Sequence, residues 1–455
     1  AIFFVYVLII LFTFATYKTI KHTNMKALRT LTSVVFAMMA FAATAQEGTW
    51  NGELNVMGNK VPLVFNFSNN GCTVDSPSQG VNGIQAEKTV KDDGTIKVKV
   101  GMIGATFEGK MTDGEIKGTY VQNGFPLPLT LKPGKQVVKR PQTPVPPFPY
   151  KEEAVSFTNA QYTFNGTLTL PENYSKNTPV VLMVTGSGQQ NRDEELFSHK
   201  PFAVIADALA RQGIASLRYD DRGWGDKSVN FADFTTDDFR QDAAAALPLL
   251  RKRFNKVGIL GHSEGGTIAM MLAAEGKADF IVSLAGMAIS GKETLIMQNR
   301  QAMSAIGLPK ETVDSYCNSI SKALDEIASG KKASEINIDD VPQALKPITI
   351  KALQQADTPY IRHFLTVDVG KLLPEIKCPV LALNGTKDTQ VDCDANTTRI
   401  EKGLADCKHS IKKIDGVNHL FQHCNTGIVT EYQQIEETIS PEVLQEVAKW
   451  IKTNI

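Results

Sequence analysis

The chain has 455 residues, more than one hydrophobic core usually supports, so two or more domains are expected. Its 48 basic and 48 acidic residues balance, which removes any electrostatic reason to expect nucleic acid or an anionic membrane surface as a partner. With 42% apolar residues it is not a disordered chain, and six cysteines in this length are not a disulfide framework.

From Met25 the chain reads MKALRTLTSVVFAMMAFAATAQ. Lys26 and Arg29 form a basic start, an apolar run follows, and Ala43-Thr44-Ala45 is an A-x-A cleavage site. Residues 25–45 therefore read as a secretory signal peptide, and 1–24 as an upstream extension from a misplaced start. The alternative for the first run, AIFFVYVLIILFTFAT, is a membrane anchor, for which it is short. No cysteine follows the cleavage site, so a lipid anchor there has no support. The expected location is the periplasm or the cell exterior, with no membrane contact after cleavage. In such a compartment Cys393 and Cys424 are candidates for a disulfide.

Residues 46–131 alternate in period two, with Asp93-Gly94 and Asp113-Gly114 as hairpin turns. They are expected to form a small antiparallel β domain, a barrel or a sandwich. Trp50, Phe65, Phe67, Phe107 and Tyr120 are expected to fill its core rather than stack on a ligand. Residues 132–150 carry Pro141, Pro144, Pro146, Pro147 and Pro149, which predict a semi-rigid linker.

From 151 to 455 a hairpin (VSFTNAQYTFNGTLTL) gives way to strands alternating with helices. The strands are PVVLMVT, GIASLRYD, KVGILG, FIVSLAG, CPVLALNG and HSIKKID, a pattern that predicts a doubly wound α/β sheet with helices on both faces. Between about 289 and 376 only amphipathic helical stretches occur, and they predict a helical cap over the C-terminal ends of the strands.

The organising stretch is VGILGHSEGGTIAM, residues 257–270. An apolar strand runs into a small-residue helix through Gly261-His262-Ser263-Glu264-Gly265, a G-x-S-x-G turn. Such a turn strains its central residue and leaves no room for side chains at the flanking positions. Ser263 is therefore the expected nucleophile, and the Glu264 amide at the helix start an expected oxyanion donor. The bland reading is a tightly packed glycine turn.

A serine hydroxyl needs a base, and the base needs an orienting carboxylate. Asp388 follows the strand VLALNG, with Asp392 and Asp394 in the same loop as alternatives. His419, in GVNHLF after the last strand, is the expected base, and His423 is its rival. The loop Thr185-Gly186-Ser187-Gly188-Gln189-Gln190 after the first parallel strand supplies the second oxyanion amide, assigned to Ser187 with Gly188 as rival. Asp220, Asp221 and Arg222 are expected to brace the rim of the sheet. The loop lacks a P-loop lysine, no C-x-x-C or His-rich spacing suggests a metal, and neither cofactor nor metal is expected.

GSGQQNRDE (186–194), HKPF (199–202), RYDDRGWGDKS (218–228), GHSEGG (261–266), LALNGTKDTQV (381–391) and NHLFQ (418–422) together resemble the EstD-type bacterial esterases of the α/β-hydrolase superfamily. The resemblance covers Lys151 to the C-terminus. It implies a cofactor-free serine carboxylesterase with the triad Ser263, Asp388 and His419, acting on a small-molecule ester, an acylated sugar being one candidate. Trp224 departs from the pattern, where a smaller residue is expected in the D-R-G turn. Two alternatives stay open. One is a serine aminopeptidase of the same fold, holding a substrate amine on cap acids such as Glu293, Glu311, Asp314 or Asp325. The other is a non-catalytic secreted glycan-binding protein.

Overall fold

The structure, a computed structural model, describes residues 47–56, 59–68, 71–76, 81–122, 124–134, 139–305, 307–404 and 406–455. The leader expectation lies outside them. Among the described residues no helix is long and apolar enough to cross a membrane. The chain divides into two compact units, the second running through Lys139–Ile455.

The first unit holds β1 (Gly48–Val56), β2 (Asn59–Ser68), β3 (Gly71–Ser76), β4 (Val81–Val90), β5 (Ile96–Val100), β6 (Ala105–Thr112), β7 (Glu115–Gln122) and β8 (Phe125–Pro133). Each strand pairs antiparallel with the next, and β1 returns to β8 with Trp50 opposite Pro133, closing a barrel. Closure removes the exposed edges an open sheet of this length would present. Trp50, Phe65, Phe67, Phe107 and Tyr120 are all buried in its interior.

The second unit is built on an eight-stranded sheet. Its strands are β9 (Tyr150–Asn159), β10 (Tyr162–Pro171), β11 (Val180–Val184), β12 (Ala215–Tyr219), β13 (Val257–His262), β14 (Ile281–Leu284), β15 (Val380–Gly385) and β16 (His409–Ile414), in the order β16-β15-β14-β13-β11-β12-β10-β9. The β9–β10 hairpin and its pairing to β12 are antiparallel, and the rest is parallel. Strands covered on both faces must be apolar throughout, which is why β11 and β15 read as near-continuous aliphatic runs.

The period-two alternation of a strand sorts those residues between two cores. Val180, Leu182 and Val184 pack on the face covered by α2 (Thr236–Arg251) and α3 (Glu264–Ala274), while Val181 and Met183 pack on the other. That other face is covered by α1 (Pro201–Arg211) and the C-terminal α10 (Pro441–Asn454). Thr235 and Asp238 form a reciprocal capping box that starts α2. Between β14 and β15 the chain makes α4 (Gly291–Ala305), α5 (Lys310–Ala328), α6 (Lys346–Ala356) and α7 (Pro359–Thr366). The short α8 (Cys393–Gly403) and α9 (Val429–Tyr432) follow β15 and β16.

The second half of the proline-rich stretch is fastened to this unit. The Arg140 guanidinium donates to the carbonyls of Phe197, Gln433 and Ile435 at 2.7, 2.8 and 2.9 Å. The Gln142 side chain donates to the Ile439 carbonyl at 2.7 Å and accepts from the Thr438 and Ile439 amides.

The candidate Cys393–Cys424 bridge is not formed, and all six thiols are free. Cys393 Sγ turns to the Asn384 carbonyl at 3.8 Å and Cys424 Sγ to the Gly416 carbonyl at 3.6 Å, so a different carbonyl holds each.

Candidate active site

Strand order reverses at β11, which has β13 on one side and β12 on the other. In such a sheet the loops leaving adjacent strand ends part to opposite faces and open a crevice. Ser263, after β13, and the loop after β11 stand at that point.

Ser263 joins β13 to α3 with φ 54° and ψ −120°, a strained conformation for a non-glycine residue. The flanking glycines are required by close approach. A Cβ on Gly261 would sit 2.0 Å from the Gly265 carbonyl oxygen, and one on Gly265 would sit 2.0 Å from that of Val184. The Ser263 amide is held by the Leu284 carbonyl at 2.8 Å.

Asp388 and His419 are brought together from the ends of β15 and β16. His419 Nδ1 lies 2.7 Å from Asp388 Oδ2, and both side chains are buried. The other carboxylate oxygen of Asp388 accepts the amides of Gln390 and Val391 at 2.8 and 2.9 Å. With its lone pairs so engaged, the carboxylate fixes the proton of His419 on Nδ1 and leaves Nε2 as the basic nitrogen. Nε2 is buried and has no hydrogen-bond partner among the described residues. The hydrogen bond to the serine that such a site uses in the Michaelis complex is commonly absent without substrate.

The rivals are occupied elsewhere. Asp392 caps α8 by accepting the Ala395 amide at 2.8 Å, Asp394 pairs with Lys413, and His423 is exposed and bonded to Glu437 at 2.9 Å.

The loop after β11 is pinned by acids behind it. Asp221 accepts the Thr185 hydroxyl at 2.9 Å and the Gln190 amide at 2.7 Å, and burial pushes its carboxyl well above the usual range against those two bonds. Asp220 pairs with Arg192, and Arg222 pairs with Asp242 and Asp238. These ion pairs set the rim on which the loop sits. The amides of Ser187, Gly188 and Glu264 donate to no acceptor among the described residues, so they are available to an oxyanion. Trp224 stands 47% exposed on its turn.

Several participants carry no sequence signal. The Glu264 carboxylate is buried, accepting the hydroxyl of Thr236 (α2) at 2.6 Å and that of Tyr360 (α7) at 2.5 Å. Burial, with Glu264 beside it, raises the Tyr360 phenol well above the usual value. His262, given no role by the sequence, lies against His419 with ring centroids 4.7 Å apart. Only the H-S-E sequence around the nucleophile hints at either residue.

The His419 loop has its own internal frame. Asn418 accepts the amides of Leu420 and Gln422 at 3.0 Å each and donates to Gln422 Oε1 at 3.0 Å. Gln422 in turn meets the His199 ring, whose nitrogens bond Thr438 Oγ1 and the Tyr432 carbonyl at 2.9 Å each. Burial lowers the His199 pKa to about 4, so the ring is neutral. The unfolded chain takes up this proton near pH 6.5 and the folded chain only near pH 4, so this term is lost as pH falls between the two. The shift corresponds to about 3 kcal/mol. Urea unfolding should show the stability advantage over His199→Gln shrinking by that order between pH 7.5 and 4.5.

Among the described residues no group of three or more His, Cys, Asp or Glu side chains is arranged to hold a metal ion.

A family model described as "Serine aminopeptidase, S33" matches residues 198–423. The esterase EstD of Thermotoga maritima is 27% identical over 303 residues, covering 65% of this chain and 68% of that protein. Human serine hydrolase BPHL is 25% identical, over 52% of this chain and 72% of its own. Among solved structures, Est1E from Butyrivibrio proteoclasticus aligns at 17% identity with a TM-score of 0.41, over 66% of this chain and 98% of that one. The chain is similar to the EstD-like esterases of the α/β hydrolases, and these matches support a carboxylic ester hydrolase.

Proposed function

We propose that this protein is an exported serine esterase that cleaves carboxylic esters of small acyl groups through a Ser263–His419–Asp388 triad and an acyl-enzyme. The observation that carries the reading is the 2.7 Å bond from His419 Nδ1 to a fully engaged Asp388, with Nε2 left without a partner among the described residues and Ser263 on a strained turn. Ser263 Oγ attacks the ester carbonyl as His419 Nε2 takes its proton. The amides of Ser187 and Glu264 stabilise the oxyanion. His419 then protonates the departing alcohol, and water repeats the sequence to release the acid and restore Ser263. The leader at 25–45 supports export, and an acylated sugar fits such a location. Helices α4 to α7 serve as the cap that shapes the acyl pocket.

The name of the matching family favours a serine aminopeptidase as the second reading. It needs a cap carboxylate free for a substrate amine. Asp325 is paired with Lys292, Asp314 with Arg300 and Lys310, and Glu293 accepts from Ser290, which leaves Glu311 of the four acids.

The experiment is hydrolysis of p-nitrophenyl esters from acetate to decanoate beside aminoacyl p-nitroanilides, using the protein from Gln46 onward. Ester turnover far above anilide turnover is expected, with a length profile that sizes the pocket. The reverse order would transfer the reading to aminopeptidase, and silence toward both would leave glycan binding as the reading to test.

A further inference from the structure

We propose that Glu194 and His262 form a second buried acid–imidazole pair, carried as carboxylate and imidazolium, that positions the oxyanion loop and the catalytic histidine around Ser263. The inference rests on the serine-hydrolase reading of the site and assigns two positioning residues to it.

The geometry is that of a clasp. Glu194 Oε1 accepts the Gly186 amide at 2.7 Å, in the loop that carries Ser187, and lies 3.0 Å from His262 Nδ1. His262 Nε2 lies 2.9 Å from the carbonyl oxygen of His419 itself. One carboxylate and one ring therefore join the segments after β11, β13 and β16 at their C-terminal ends. Glu194 and His262 are 3% and 6% exposed, so neither gains from solvent.

The charge state follows from the partners. Both ring nitrogens face acceptors, a carboxylate oxygen and a main-chain carbonyl oxygen. A neutral ring has one N–H and can satisfy one of them, whereas an imidazolium satisfies both. The titratable groups around the ring are Glu194 from the β11 loop and His419 and Asp388 from the β15 and β16 ends, with Asp221 behind Glu194. Burial by itself depresses His262, but the Glu194 charge and bond, the His419 carbonyl and the Asp388 charge together raise it.

The consequence concerns His419. Its side chain is aimed by Asp388 and its backbone by His262, so Nε2 is located from two sides. Neither Glu194 nor His262 offers an atom to substrate in this scheme. Their loss should therefore reach kcat through misplacement, leaving binding almost untouched.

The test has two arms. In the first, Glu194→Gln keeps the shape and removes the charge, while His262→Asn keeps a group near Nδ1 and removes the bond to the His419 carbonyl. With p-nitrophenyl acetate, each is expected to lower kcat by about 10- to 100-fold with KM within about twofold, the scale of a lost charge-assisted hydrogen bond. In the second, imidazole NMR on nitrogen-15 histidine-labelled protein, with Ser263→Ala as a folded reference, should show both ring N–H signals of His262 at neutral pH, where an ordinary imidazole has lost one. Glu194→Gln should lose one of them. Full kcat in Glu194→Gln, or a single-tautomer His262 in the parent protein, overturns the pair. A parent protein that turns over no ester overturns the reading of the site and with it the positioning role, while the ring signals still decide the charge state.

Discussion

Ser263→Ala is expected to lower kcat for p-nitrophenyl acetate by about a millionfold while leaving the fold intact. The loss is that large because a covalent route is removed, and water must then attack an ester held only by the oxyanion amides. The fold is spared for local reasons. Among the described residues the hydroxyl of Ser263 makes no hydrogen bond, whereas its amide, held by Leu284, is retained in alanine. Alanine also meets the same strain at φ 54° that serine does. The measurement is steady-state hydrolysis beside thermal unfolding of both proteins. An unchanged melting temperature with turnover at the buffer rate is the expected pair of results. Residual turnover above about a thousandth of the parent, with contaminating esterase excluded, would place the nucleophile elsewhere, since triad serines do not leave that much.

What the sequence disclosed about this site was governed by distance along the chain. The turn at Gly261–Gly265 is local: atoms four residues apart meet at 2.0 Å if a Cβ intervenes, so the letters themselves carry the geometry. The strands were legible for a similar reason, because a strand covered on both faces is apolar at most positions. Asp388 and His419 could be nominated because strand ends are visible as the place where apolar runs stop. The partners behind them could not. Glu194 meets His262 across 68 residues of chain, and Tyr360 meets Glu264 across 96, and no local pattern encodes either encounter. His262 adjoins the nucleophile, but nothing local indicates that its ring reaches Glu194 and the His419 carbonyl. The first unit shows the same limit. Alternation in 46–131 specifies strands with one covered face, a condition that a barrel and a sandwich meet equally. The choice is made by the pairing of β1 with β8, about eighty residues apart, which buries both edges. The Cys393–Cys424 bridge stayed only a possibility because export permits a bridge without supplying its geometry, and each thiol faces a carbonyl of its own.

Asp388→Asn is the change that separates orientation from chemistry, and it should lower kcat by about ten-thousandfold at neutral pH with little loss of stability. The asparagine oxygen can still accept the Gln390 and Val391 amides, so the loop after β15 keeps its shape. Its NH2 group must then face His419 Nδ1. A donor there obliges Nδ1 to accept, which moves the imidazole proton to Nε2, the nitrogen that must be bare to take the proton of Ser263. The base is present, in place and of the wrong tautomer. One control makes the result specific. Asp392→Asn removes an acid from the same loop and exchanges one good helix cap for another, so kcat should stay within about twofold. A carboxylate supplied by Asp392 or Asp394 instead would reverse that order, with Asp388→Asn nearly silent. Since Asp394 is tied to Lys413 on the outer face of α8, and the Asp388–His419 bond is buried from solvent, the loop offers the imidazole one carboxylate at bonding distance, and the asparagine series reads out which one it uses.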